Sequence, residues 1–394
     1  MLTQMKLKHW CIGALLVTSS LLLASCSESV QEPTVTPPVV TPEPEPVMEE
    51  TPVEPVYAYS APLTGLGSDE PVKQRPLAVM INNAPAARPQ SGLSGADIVY
   101  EVLAEGGITR LVAIFQSGGK DVNIGPVRSI RPYLIELAET YNALPIHAGG
   151  SNDAYAIFQR QGKQHLDEIT NAGTSFWRSK DRKAPHNLYT DLDKLVAGAE
   201  KRGYPVEAEA PAYTFDDPKT HQIAGEEATA LDIRFLLNNY RVSYTYDAEQ
   251  GLYKRMINGK PHVDLNNNEQ LTATNLIVLA TNHRVLDDVG RLAVDLDRGG
   301  EATIFQQGRM IQGTWRHNKG DSIRFDVDGK EWPLLPGKTY IHIVPTDNNG
   351  VSGHITITEP EAASTESTDS KDSKDSKDSS NSTNSKSSTD SSKH

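Results

Sequence analysis

Residues 124–151, IGPVRSIRPYLIELAETYNALPIHAGGS, decide how the chain around them folds. Leu134, Leu137, Ala138 and Tyr141 recur at i, i+3, i+4 and i+7, the spacing of one face of an α-helix. Pro132 falls in the first turn of that helix, where the backbone N–H it lacks would have no intrahelical acceptor. A short strand ending at His147 follows, and Gly149-Gly150-Ser151 turns the chain into a second helix. Ser151 is a good N-cap for it, Ala154, Ile157 and Phe158 give it an apolar face, and Gly162 supplies a stop. Helix, strand, helix in such short order requires a sheet for the helices to cover.

The sheet is legible on the upstream side. Pro76–Asn82, PLAVMIN, is an apolar run between turn formers and reads as a buried strand. Ala96–Leu103 and Ile108–Gln116 flank Glu105-Gly106-Gly107 and read as a hairpin. Downstream, a loop-rich segment from His165 to Thr190 leads to a third helix. Thr190 and Asp193 form its capping box, Leu192, Leu195, Val196 and Ala199 its apolar face, and Gly203 and Pro205 its end. After Pro211 the texture changes to short alternating or β-branched runs: Arg241–Tyr246, Leu252–Ile257, Leu276–Ala280, Ala302–Gln306, Ser322–Val327 and Tyr340–Val344. Asn258-Gly259, Gln307-Gly308 and Asp328-Gly329 mark turns among them, and Leu231–Leu237 reads as a strand or a short helix. The expected fold is therefore an α+β, or mixed α/β, domain over residues 70–210, followed by a mainly antiparallel β domain over 211–358.

The flanks say where such a body resides. Lys6 and Lys8 precede a short apolar run, Ile12 to Leu23, and Leu23-Ala24-Ser25-Cys26 closes it with small residues before a cysteine. That pattern is a secretory signal over residues 1–25, and it looks like a bacterial lipobox in which Cys26 becomes the acylated first residue. The run is too short for the ~20 apolar residues of a spanning helix. Cys11 leaves with the signal, so the mature body has no disulfide, no thiolate nucleophile and no cysteine metal site. Residues 26–69 are rich in Pro and Glu and read as a self-repelling tether. Residues 359–394, with three consecutive Ser-Lys-Asp triplets from Ser370, hold too little apolar surface to offset ordering entropy. The formal net charge of −13 argues against nucleic acid as a partner.

Within this acidic chain, Arg128, Arg131 and Ser151 gather anion-compatible groups. A guanidinium offers a bidentate fork to phosphate or carboxylate, and the Gly149–Ser151 backbone can approach a ligand closely at a helix start. The same arginines can instead pair with Asp97, Glu101 or Glu105 and fix the fold, with Ser151 as an ordinary cap. His147, His165, His186 and His262 show no metal-ligand spacing, and His262-Val263-Asp264 is too little for a zinc site, so no metal is expected. A Ser151, His147 or His186, Asp153 triad is possible in order but lacks the G-x-S-x-G elbow. The chain has no Walker A and no G-x-G-x-x-G motif, so no cofactor is expected. Trp177, Arg178 and the basic run Lys180 to Lys183 form a loop able either to grip an acidic polymer or simply to be solvated.

RPLAVMINN (75–83), ARPQSGLSGADIVYEVLAEGGITRL (87–111), IGPVRSIRPY (124–133), HAGGS (147–151), APHNLY (184–189), INGKPHVD (257–264) and PGKTYIHIVP (336–345) together resemble the YerB-type lipoprotein family of firmicute bacteria, a two-part domain of unknown function. The resemblance spans 70–345 and implies a surface lipoprotein with an N-terminal family domain followed by a distinct C-terminal one. It supplies no activity and no catalytic residue. Arg110, Arg128, Arg131, His147, Gly149, Gly150, Ser151, His186 and Asn187 lie in the matching segments and are the candidate ligand-binding set. The preferred expectation is a lipid-anchored protein that binds an anionic envelope component, a peptidoglycan carboxylate or a teichoic acid phosphate. Arg128 and Arg131 would clamp the anion, Gly149–Ser151 would cradle it, and His147 and His186 would line the pocket. The alternatives are an envelope hydrolase or transferase using His147 or His186 as base, and a scaffold docking a membrane cell-wall protein.

Overall fold

The computed structural model describes residues 55–118, 122–347 and 349–359. The signal, Cys26, the tether up to residue 54 and the tail from residue 360 lie outside them. Five apolar residues in a row followed by Asn82 make strand β1, Leu77–Asn82, every residue of which is buried. It pairs antiparallel with β3, Thr109–Phe115, which forms the expected hairpin with β2, Ile98–Leu103. Helix α1, Pro132–Glu139, starts with its proline in the first turn and leads into β4, Leu144–His147, parallel to β1. Helix α2, Asn152–Gln161, is capped by Ser151, whose side chain accepts from the Ala154 N–H, and it ends at Gly162 with φ +60°. Strand β5, Leu166–Asp167, extends the sheet parallel to β4.

Helix α3, Leu192–Lys201, differs from expectation at its start. Asp191, not Thr190, is the N-cap, accepting the Lys194 N–H at 2.7 Å. Thr190 is buried and donates its hydroxyl to the Ser175 carbonyl at 2.7 Å, so it serves the preceding loop. The body also begins earlier than residue 70. Tyr59–Ser60 pairs with Gly67–Ser68, and Leu63 between them is 1% exposed.

Beyond α3 come β6, Ala230–Arg234; β7, Arg241–Asp247; β8, Leu252–Ile257; β9, Asn275–Thr281; β10, Gly300–Gln306; β11, Arg309–Arg316; β12, Arg324–Val327; β13, Lys330–Glu331; β14, Thr339–Pro345; and β15, Ile355–Thr358. Strands β6, β7 and β8 pair antiparallel, with β15 on the free edge of β6, in a 6-stranded sheet. The other strands join the first segment. A 12-stranded sheet runs β13-β12-β11-β10-β9-β14-β2-β3-β1-β4-β5, with Glu226–Glu227 against β11. Strand β14 is the hinge of this arrangement: it pairs parallel with β9 on one side and with β2 on the other, Tyr340 opposite Val99. The segments expected as separate domains, 70–210 and 211–358, thus share one sheet.

Side-chain alternation along the strands sorts the core into two layers. Ala78, Met80, Tyr100, Val112, Ile277 and Ile341 face α1 and α2, against Leu134, Leu137, Ala138 and Phe158. Leu77, Val79, Ile81, Ala113, Leu276 and Tyr340 face the smaller sheet and α3, against Ile233, Val242, Tyr253 and Leu195. Each fully buried aliphatic side chain contributes roughly 1.5–3 kcal/mol. The layering explains why α1 is fixed on the sheet with its N-terminus at a defined place.

Candidate functional site

Three guanidiniums converge where α1 begins. Arg110 sits on β3 opposite Asn82 of β1. The loop before α1 runs alongside β1, with Asn82 N–H donating to the Pro126 carbonyl and Arg128 N–H to the Met80 carbonyl, both at 2.8 Å. This pairing brings Arg128 beside Arg110. Arg131 is the residue before the first turn of α1, and its side chain does not cap the helix. Its guanidinium instead forms an ion pair with Glu105 from the β2–β3 turn and donates to the Ile130 carbonyl at 2.8 Å.

Arg110 is almost wholly buried and donates from Nη1 to the Ser129 carbonyl at 2.7 Å. Its Nε–H has no partner among the described residues. Burial, reinforced by the positive charges of Arg131 and Arg128, lowers its pKa to about 10, with Tyr133 and Glu105 acting against the shift. Burial and Arg131 also lower Arg128, whose guanidinium makes no hydrogen bond or ion pair among the described residues. Glu105 is the carboxylate of this group: burial disfavours its charge, but the bond to Arg131 holds its carboxyl below the usual range. Three cations around one anion, with a buried donor unsatisfied, form a site that gains from a further negative charge.

Arg128 also lines a recess of about 350 Å³ with Gly149, Gly150, Pro185 and Arg178, the last paired at 3.1 Å with Glu168 of the same wall. Ile169, 67% exposed, stands at its rim. His186 lies close to Arg128. Its Nδ1 accepts from the Asn82 amide at 2.9 Å, and burial together with Arg128 and Arg182 favours its neutral form. A neutral imidazole among guanidiniums adds a donor without adding a fourth charge.

Several expected contributors have other tasks. His147 is fully buried and does not line the recess. Its Nδ1–H donates to the Gly149 carbonyl at 2.9 Å and its Nε2 accepts from His165 Nδ1 at 2.9 Å, with Phe158 stacked on its ring. Both ring nitrogens are thus occupied, which leaves no lone pair for a general base. Two N–H groups of the expected backbone cradle are already engaged. Gly149 N–H donates to Asp167 at 2.8 Å and Ser151 N–H to the Ile130 carbonyl at 3.2 Å, because both are needed to hold the turn. Gly149 keeps a different role: at φ +73°, with Ile169 3.1 Å from where a Cβ would stand, only glycine fits comfortably. Ser151 is the α2 cap. Asn187 is buried and braces the loop, donating to the Ser179 carbonyl at 3.0 Å and accepting from Arg178 at 3.2 Å. The recess therefore unites Arg128, Gly149 and Gly150; Arg110, Arg131 and His186 surround Arg128; His147, Ser151 and Asn187 do not line it.

A buried polar network joins residues whose connection leaves no sign in the sequence. Glu101 on β2 pairs with Arg255 on β8 at 2.6 Å and accepts from Thr109 at 2.7 Å and from the Tyr240 hydroxyl. Arg255 Nε donates to His262 at 3.0 Å, and His262 bonds Gln90 at 2.7 Å. Asp264 accepts the N–H groups of Gly92 and Ser94, so His262 and Asp264 join the two segments. An Arg in the middle of the strand LYKRMI gives no local sign of its burial.

Residues 63–205 match the family described as protein of unknown function (DUF3048) N-terminal domain, and residues 231–341 match its C-terminal domain. The chain is 37% identical over 288 residues to the Bacillus subtilis protein named "Putative lipoprotein YerB", covering 72% of this chain and 86% of that one. The crystal structure of the Bacillus subtilis YerB protein superposes with a TM-score of 0.69 at 35% identity, across 76% of this chain and all of that one.

Proposed function

The chain belongs to the DUF3048 family, and on that premise we propose that it is a lipid-anchored extracytoplasmic protein whose arginine cluster binds an anionic component of the cell envelope. The lipoprotein name of its relative and the Leu23–Cys26 pattern support the anchor. The binding partner would carry phosphate or carboxylate groups, as teichoic acid and peptidoglycan do. One observation carries the reading: among the described residues the Arg110 Nε–H is buried with no hydrogen-bond partner, beside Arg128, whose guanidinium makes no hydrogen bond or ion pair and which lines an open recess. An unsatisfied buried donor costs about 1–3 kcal/mol, and a ligand oxygen would relieve that cost.

Cosedimentation of the full protein with purified wall polymers tests this. Retention that falls at least tenfold in Arg128→Glu, and that weakens with added salt, supports it. Equal retention of the two proteins contradicts it.

A second reading, docking of a membrane partner, draws on the hairpin His283–Val285 and Leu292–Val294. Its tip exposes Val285, Leu286 and Val289 to solvent, and clustered exposed apolar side chains mark interaction surfaces. Crosslinking that captures one dominant protein in the native protein, and loses it in Val289→Asp, would favour that reading.

A further inference from the structure

A different set of ligating groups joins α1 to the second segment. Glu136 lies on α1, Asp297 precedes β10, and His317 follows β11. Each offers one ligand atom, and these atoms all lie within 4.8 Å of one another. His317 Nδ1–H donates to the Leu296 carbonyl at 3.1 Å, which leaves the Nε2 lone pair free for the cluster. Such a carbonyl contact on the far nitrogen is how proteins orient a ligating imidazole. Neither carboxylate forms an ion pair with Lys or Arg among the described residues, although Lys163, which is bound to Glu139, and Lys319 line the same recess. That recess, about 430 Å³, opens the cluster to solvent.

We propose that Glu136, Asp297 and His317 form a binding site for one divalent transition-metal cation of the Zn2+ class. One imidazole nitrogen and two carboxylate oxygens suit Zn2+ better than Ca2+ or Mg2+, which take oxygen ligands. Tetrahedral coordination at about 2.0–2.2 Å places ligand atoms about 3.4 Å apart, a closure that the exposed Asp297 side chain makes by rotation. Three protein ligands leave a position for water from the recess. The ion would offset the repulsion between two carboxylates brought close together. It would also clamp the helix that carries Arg131 onto the loops flanking β10 and β11. The proposal is independent of the anion reading.

Calorimetric titration of the full, chelator-treated chain with Zn2+ tests the site, alongside His317→Ala and Glu136→Gln, with circular dichroism to verify that each variant folds. The expected result is one saturable equivalent with a rise in Tm, an affinity at least tenfold weaker in either variant, and no replacement by Mg2+ at equal concentration. No saturable binding, unchanged affinity in both folded variants, or preference for Mg2+ or Ca2+ overturns the proposal.

Discussion

Arg255 and Glu101 form an ion pair of 2.6 Å with neither side chain exposed to solvent, one from each of the two matched family segments. Burial opposes the charge on Glu101, yet Arg255 and His342 hold its carboxyl well below the usual carboxylate range. Removing one partner of such a pair leaves a buried charge alone, at about 3–5 kcal/mol. Arg255→Met should therefore lower unfolding free energy by that amount in denaturant titrations. The double variant with Glu101→Gln should recover part of the loss, since it removes the stranded charge.

The arginine cluster should behave as a binding site and not as a brace. The Arg128 guanidinium has no hydrogen-bond or ion-pair partner to lose among the described residues, and its removal relieves repulsion on Arg110 and Arg131. Arg128→Ala should leave stability within about 0.5 kcal/mol of the parent while polymer binding falls. A clear destabilisation in chemical unfolding would mark the residue as structural.

His147 sets a pH dependence. Burial, outweighing the nearby Asp167, lowers its pKa to about 4, from 6.5 in the unfolded chain. Between those values the unfolded state binds the proton and the folded state does not, so stability drops as pH falls from about 6.5 to about 4. The full effect is about 3 kcal/mol. Unfolding measured across that window should steepen toward acid in the native protein and flatten in His147→Asn.

Asp191 should count as the cap of α3. Asp191→Ala removes the acceptor for the Lys194 N–H and should cost about 1 kcal/mol, read as a lowered Tm.

The helices and most strands were legible because their signals are local: Pro132 at the start of α1, Ser151 and Gly162 at the ends of α2, and Gly106-Gly107 in the hairpin turn. The joining of the two segments was not, because the parallel pairing of Tyr340 with Val99 links distant residues and leaves no local trace. Strand β11 was missed because its residues are mostly half-buried or exposed, with no clear apolar alternation, and Gly313 interrupts them. For the site, residue type pointed to Arg128 and Arg131 but could not say which cation finds an anion. Glu105 takes Arg131 and leaves Arg128 open. Composition also could not reveal that Asp167 uses the Gly149 N–H and that His165 uses the His147 ring.

The most direct test of the central claim is the Arg110 Nε–H resonance in a 15N-labelled protein titrated with purified teichoic acid and with peptidoglycan fragments. The anion-binding account predicts a saturable shift of that resonance, with the same midpoint as polymer binding and absent in Arg128→Glu. Polymer binding that leaves the Arg110 resonance unmoved, or no binding of either polymer, would contradict it.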